Sequence, residues 1–170
     1  QRAYDEIVHD VAMQNQKVVL AVDRAGFVGD DGRSHQGIFD LAFLRTIPNS
    51  VIYSPSTYKG VGQFLYRALY DDGKVIAVRY PRGKQGYIPD DFNQNTYDDF
   101  TVLDGEEYYA GTDLESRRPD ACLVTFGSLF PEAAKARDEL KEEGSRVRII
   151  KLNKVWPINP GAVAAARACD

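Results

Sequence analysis

A chain of 170 residues, 44% hydrophobic and 27% charged, is long enough for one average globular domain or two small ones. Its formal net charge is −4 and its lysines and arginines are scattered, which argues against a nucleic-acid or anionic-membrane partner, because no basic excess exists to neutralise phosphates. No run approaches the roughly 20 apolar residues needed to span a bilayer, and none reads as a signal peptide.

In chain order, Tyr4, Ile7, Val8, Val11 and Ala12 follow helical spacing and predict an amphipathic helix over residues 2–13. Val18 to Val22 is a short apolar run of the kind buried in parallel sheets. A charged, glycine-bearing stretch follows, and Ile38 to Leu44 reads as a short helix. Val51 to Tyr53 is a second strand. Ser56 is the candidate N-cap of a helix carrying Val61, Phe64, Leu65, Ala68 and Leu69, which ends at Asp71-Asp72-Gly73. Lys74 to Tyr80 is a third strand. Strand, helix, strand, helix, strand at this spacing predicts a parallel sheet whose ligands bind beyond the carboxyl ends of the strands. Asp23 to His35, Ser54 to Ser56 and Pro81 to Gly86 would then share one edge.

Residues 84–99 are polar, acidic and punctuated by Gly and Pro, and read as a linker. Phe100 to Leu103 and Glu107 to Ala110, joined by Asp104-Gly105, make a candidate hairpin. A second α/β unit follows: strand Ala121 to Phe126, helix Pro131 to Glu143 with Gly144 as C-cap, strand Val147 to Leu152, and a helix from near Pro160. The expected fold is therefore α/β, parallel sheets with flanking helices, divided as 1–90, a connecting 91–120 and 121–170. Three strands in one half and two in the other leave sheet edges and helix faces exposed. QRAYDEIVHD opens in helical pattern without Met and PGAVAAARACD closes in one, so the expectation is a piece of a longer polypeptide.

Cys122 sits in an apolar run, far from Cys169, and His9 and His35 are too separated to build a metal cluster. This cysteine usage fits a reducing, cytoplasmic compartment.

The segment AVDRAGFVGDDGRSHQGIFD (21–40) raises the functional question. Arg24 follows the first strand and Arg82 the third. Two guanidinium groups on one edge suit a phosphate or carboxylate, although two surface ion pairs would read the same way. His35, in a glycine turn, could serve as a general acid or as an ordinary loop residue. Asp31 is either turn chemistry or an acceptor for a sugar-like hydroxyl. Gly26, Gly29, Gly32 and Gly37 resemble a phosphate-cradling loop only loosely. Tyr53, Tyr58 and Tyr66 fit packing better than a stacking platform.

The same segment, with QRAYDEIVHDVA before it, IPNSVIYSPS and RYPRG after it, and FGSLFPEAAKA and KVWPINP further on, resembles the 1-deoxy-D-xylulose-5-phosphate synthase family of transketolase-like, thiamine-diphosphate-dependent enzymes. The resemblance covers essentially the whole chain. Asp-Arg-Ala-Gly followed by His-Gln-Gly is its specific element, because transketolases proper usually lack the arginine. It implies the latter part of a pyrimidine-binding domain and the beginning of a transketolase C-terminal domain. It implies an enzyme that joins pyruvate, with loss of carbon dioxide, to glyceraldehyde 3-phosphate, for isoprenoid, thiamine and pyridoxal precursors. By similarity, Arg24 and Arg82 bind the aldehyde's phosphate, and Asp31 and His35 contact its hydroxyl and aldehyde oxygen, with His35 placed for proton transfer. The resemblance further implies thiamine diphosphate and magnesium, a homodimer with composite sites, and the bacterial cytoplasm.

Two departures bear on this expectation. The family often has Pro-Thr where this chain has Arg33-Ser34, so no role passes to Arg33. The family's catalytic glutamate, its ring-stacking aromatic residue, a phosphate-binding tyrosine and the diphosphate–magnesium site fall upstream of Gln1. The isolated residues are therefore expected to be inactive. A β-subunit-type 2-oxoacid dehydrogenase component and a non-catalytic α/β module of the same fold are the alternatives. Arg24 and Arg82 count against the former.

Overall fold

The computed structural model describes residues 2–70, 73–104 and 119–168. Its apolar runs fold as two sheets flanked by helices. In the first, β1 (Val18–Val22), β2 (Ser50–Tyr53) and β3 (Val75–Arg79) are parallel, with β3 central. Val22, Tyr53 and Arg79 therefore end on one edge. The second sheet contains β4 (Phe100–Leu103), β5 (Ala121–Phe126) and β6 (Val147–Leu152), in the order β4-β6-β5. Here β5 runs parallel and β4 antiparallel to β6. The expected hairpin partner of β4, residues 107–110, lies outside the described residues.

One strand has no counterpart in the sequence reading. β7 (Lys154–Trp156) leaves the second sheet and pairs antiparallel with β2 of the first, Ile52 opposite Trp156 and Tyr53 opposite Lys154. Each sheet thus holds a strand more than its half was expected to supply: β7, which was not foreseen, joins the first, and β4, expected as a hairpin strand, pairs with β6 in the second. The hydrophobic core follows the same join. Leu44, Ile47, Ile52, Val75 and Ala77 pack in one buried cluster with Ile150, Leu152, Val155 and Ala162 from the second half.

The helices cover the sheets as their apolar spacing requires. α1 (Tyr4–Glu6) passes directly into a π-helical segment (Ile7–Ala12), where Met13 N–H donates to Val8 O. All five residues of the expected stripe pack against the first core. α2 (Asp40–Leu44) is short. α3 (Tyr58–Tyr70) buries Phe64 and Ala68 against Tyr53, Ile76 and Val78. Its cap is Thr57, whose Oγ1 accepts from Gly60 N–H at 2.9 Å, not Ser56, whose buried hydroxyl has no hydrogen-bond partner among the described residues. The chain needs one further residue to bring the oxygen over the first turn. α4 (Phe130–Glu142) ends on Gly144 at φ +87°, where Ser145 N–H reaches Leu140 O and Gly144 N–H reaches Lys141 O. α5 (Pro160–Arg167) is capped by Asn159 Oδ1, which accepts from Gly161 N–H.

Residues 84–99 hold no helix or strand, yet they are packed rather than free. Phe92 is buried with Leu103, Phe130, Ala134 and Ile149 in a third cluster. Asp91 receives two hydrogen bonds from Arg137 of α4, and Tyr87 donates to Asp138. Composition marks this stretch as polar; buried Phe92 and the Asp91–Arg137 pair are among the contacts that hold it.

Candidate functional site

The β1–β3 ladder continues past the strands and builds the site. Tyr80 N–H donates to Val22 O at 2.9 Å, and Ala25 N–H donates to Tyr80 O at 3.0 Å. These bonds bring the residues after β1 alongside those after β3, which is why Arg24 and Arg82 are neighbours. Arg24 has φ +57°, an uncommon conformation for a non-glycine residue, and it turns the chain out of the sheet.

The following loop is closed at its neck by Gly26 and Gly37, which exchange two backbone hydrogen bonds of 2.9 Å. Only glycine fits at 37: a Cβ there would stand 2.2 Å from Arg24 O. Beneath the neck, Arg79 donates to Gly37 O at 3.2 Å and forms a two-bond ion pair with Asp40, at 2.8 and 3.1 Å. Arg79 and Asp40 are 5% and 7% exposed, so each neutralises a charge the interior could not otherwise hold. Sequence reasoning missed this pair. The available signal was an arginine ending an apolar strand run, VIAVR, which needs a buried acid.

Within the loop, a 3-10 turn (Gly29–Asp31) presents Asp31 to both arginines. Its Oδ2 accepts from Arg24 Nε at 2.6 Å and its Oδ1 from Arg82 Nη1. Arg24 Nη1 also pairs with Asp23. The Arg24 hydrogen bond, and after it that from Arg82, holds the Asp31 carboxyl below the usual carboxylate range. The Asp31 hydrogen bond in turn raises the Arg24 guanidinium above its ordinary value. Asp31 is therefore an ionised, acceptor-only group at neutral pH. The arginine side chains remain 40% and 50% exposed. Nη2 of Arg24 and both Nε and Nη2 of Arg82 carry N–H groups without a partner among the described residues. Charged, forked donors on a partly solvated edge can take a phosphate or carboxylate in bidentate fashion.

The structure does not bring His35 into this cluster. It is exposed, and its Nδ1 lies 3.1 Å from Ser34 Oγ, its only hydrogen bond among the described residues. Arg33 is likewise exposed. Gln36, which sequence reasoning passed over, reaches back across the loop to Val28 and Gly32. On the other side of Arg82 lies a cavity of about 510 Å³ between the two halves, lined by Ser56, Tyr58, Arg82, Lys84, Ser128 and Glu132 among others. Among the described residues no group of three or more His, Cys, Asp or Glu could hold a metal ion.

Comparison with known proteins matches this arrangement to catalogued domains. Residues 1–86 match the model of the transketolase pyrimidine-binding domain, and residues 111–168 match that of the transketolase C-terminal domain. Among curated proteins, the chain is 41% identical over 160 residues to a 1-deoxy-D-xylulose-5-phosphate synthase of Shouchella clausii, and 37% identical over 163 residues to one of Aquifex aeolicus. These alignments cover 94% of this chain in both cases, but only 24% and 23% of the relatives. The chain thus spans about a quarter of their length. Among solved structures, a split-gene transketolase described as an inactive tetramer superposes with a TM-score of 0.72 at 21% identity, covering 99% of this chain and 50% of that one. A Pichia stipitis transketolase variant in complex with fructose 6-phosphate gives 0.64 at 18% identity, covering 86% and 20%. These two likenesses establish the shared fold.

Proposed function

Because this chain belongs to the transketolase family, we propose that it is the acceptor-binding part of a 1-deoxy-D-xylulose-5-phosphate synthase. The observation that carries this reading is the convergence of Arg24 and Arg82 on Asp31 at the carboxyl edge of the first sheet. The parent enzyme combines pyruvate and glyceraldehyde 3-phosphate, releasing carbon dioxide and forming the five-carbon sugar phosphate. Thiamine diphosphate, when bound, supplies the carbanion chemistry. The residues of this chain bind and orient the aldehyde.

The unclaimed N–H groups of Arg24 and Arg82 grip its phosphate, a dianion that two forked cations fit better than one. Asp31 holds both guanidinium groups in place and accepts from the sugar hydroxyl. His35, free of the ion-pair cluster, contacts the aldehyde oxygen and supplies a proton as the new carbon–carbon bond forms. Its exposure leaves it free to meet a substrate.

The domains are read as 1–90, belonging to the pyrimidine-binding domain, a connection over 91–120, and 121–170, belonging to the C-terminal domain. The catalytic glutamate and the diphosphate–magnesium site are assigned to other parts of the parent. A homodimer in the bacterial cytoplasm is the proposed working form. Exposed Phe27, Ile38 and Phe39 beside the loop favour an interface there, the curated relatives are bacterial, and no helix among the described residues is long and apolar enough to cross a membrane.

The test is to incubate the full-length protein with pyruvate and glyceraldehyde 3-phosphate and identify the product. Formation of 1-deoxy-D-xylulose 5-phosphate supports the reading. Acyl transfer to a lipoyl arm without sugar phosphate overturns it, whereas measurable synthesis by the isolated 170 residues overturns the assignment of the catalytic glutamate and the diphosphate–magnesium site to other parts of the parent.

A further inference from the structure

We propose that Gln36 is a positioning residue that sets the place of Asp31 between the two arginines. Its side-chain amide uses all of its capacity on the loop backbone. Oε1 accepts from Val28 N–H at 2.5 Å, while Nε2 donates to Val28 O at 2.8 Å and to Gly32 O at 2.6 Å. The bonds fall on both sides of the Gly29–Asp31 turn, so one side chain ties the turn's entrance to its exit. The orientation is unique: a flipped amide would set its NH2 against Val28 N–H and its oxygen against two carbonyls.

Apart from the two arginine ion pairs of Asp31, the turn has little else to hold it. Asp31 N–H bonds Val28 O at 3.2 Å, Gly29 and Asp30 point no apolar side chain inward, and only Val28 is buried. Gln36 also stands between His35 and the neck residue Gly37. The clamp therefore fixes both the carboxylate and the imidazole-bearing strand of the loop. Its consequence for acceptor binding rests on the function proposed above.

The experiment uses the full-length protein with Gln36→Met, which keeps the shape and loses all three bonds, and Gln36→Glu, which keeps an acceptor and loses both donors. Two readouts are taken. Hydrogen exchange of the peptide spanning residues 26–38 should accelerate in both variants while the rest of the exchange map is unchanged. The Michaelis constant for glyceraldehyde 3-phosphate should rise by about tenfold, with that for pyruvate unmoved, as a displaced Asp31 loosens both arginines. Unchanged exchange in the loop overturns the clamp. Faster exchange with unchanged constants for both substrates overturns the positioning role. Wild-type protein that forms no sugar phosphate removes the functional reading instead, and the exchange data then still decide whether Gln36 holds the turn.

Discussion

Arg79 and Asp40 form a two-bond ion pair, buried on both sides, that joins the end of β3 to the start of α2 and braces the neck of the Arg24–Gly37 loop. Removing one partner leaves the other charge buried without compensation. Asp40→Ala or Arg79→Ala should destabilise the fold by about 3–5 kcal/mol. Replacing both with apolar residues of similar volume should cost much less. Denaturant unfolding of the three variants measures the difference, and equal losses for single and double replacements would contradict the account.

Arg24 and Arg82 are partly exposed and already share Asp31, so their removal should leave folding almost intact. Arg24→Ala or Arg82→Ala should cost the aldehyde substrate on the order of 1.5 to 3 kcal/mol, roughly a 10- to 150-fold rise in its Michaelis constant. Pyruvate should be unaffected. Arg→Lys should rescue poorly, because an ammonium cannot reproduce a forked contact. Steady-state kinetics of the full-length enzyme with each substrate varied in turn would test this.

Asp31 carries a sign that can be checked by acid. Its folded-state pKa lies below the reference value of 3.8, through Arg24 first and Arg82 next. Its stabilising contribution is therefore fully present above that reference and lost as pH falls through the folded value. The difference in melting temperature between the parent and Asp31→Asn should stay constant from pH 7 to about 4 and shrink only below it. A difference that already closed at pH 5 would show that the carboxylate is not held by the arginines.

Lys151 gives the same sign of pH dependence at the other end of the scale, from a charge that burial penalises instead of one that partners hold. It is 2% exposed in β6, with Asn153 Oδ1 as its hydrogen-bond acceptor and the rings of Phe92 and Phe130 at 5.3 and 5.5 Å. Among the described residues no carboxylate pairs with it. Burial pushes its pKa down from 10.5 to about 7. Between those values the unfolded chain binds the proton more readily than the folded one, so stability rises with pH across that window. Lys151→Met should be more stable than the parent at pH 6, with the gap narrowing toward pH 10. Chemical denaturation across that range supplies the measurement, and a gap that widened with pH would refute it.

Much of the fold was legible because apolar runs and helical spacing answer directly to burial. Val18–Val22, Val75–Arg79 and Val147–Leu152 appear as strands within a residue of their expected limits. β7 was not legible: Lys-Val-Trp is too short to register as a run, and its pairing with β2 is fixed by tertiary contact. Lys151 was hidden inside a strand that was itself correctly read, because sequence does not reveal which polar residue on a strand will face an aromatic pocket. At the site, placement after the strands made Arg24 and Arg82 candidates, Asp31 stood open between turn and acceptor, and the resemblance supplied the roles. Gln36 acts on backbone groups of the loop and leaves no periodic or compositional trace, while Arg79 showed only as an arginine closing an apolar strand run.

The pairing of β7 with β2 also sets an order of events during synthesis. Tyr53 leaves the ribosome about a hundred residues before Trp156. At ordinary elongation speeds the β2 edge waits roughly 5 to 20 s for its neighbour. Through that interval the sheet beneath the charged loop has an open side and lacks the Ile150, Leu152 and Val155 contribution to its core. The nascent chain is then most exposed to chaperones and to edge-to-edge association, and stalling of translation before residue 154 would strand it in that form.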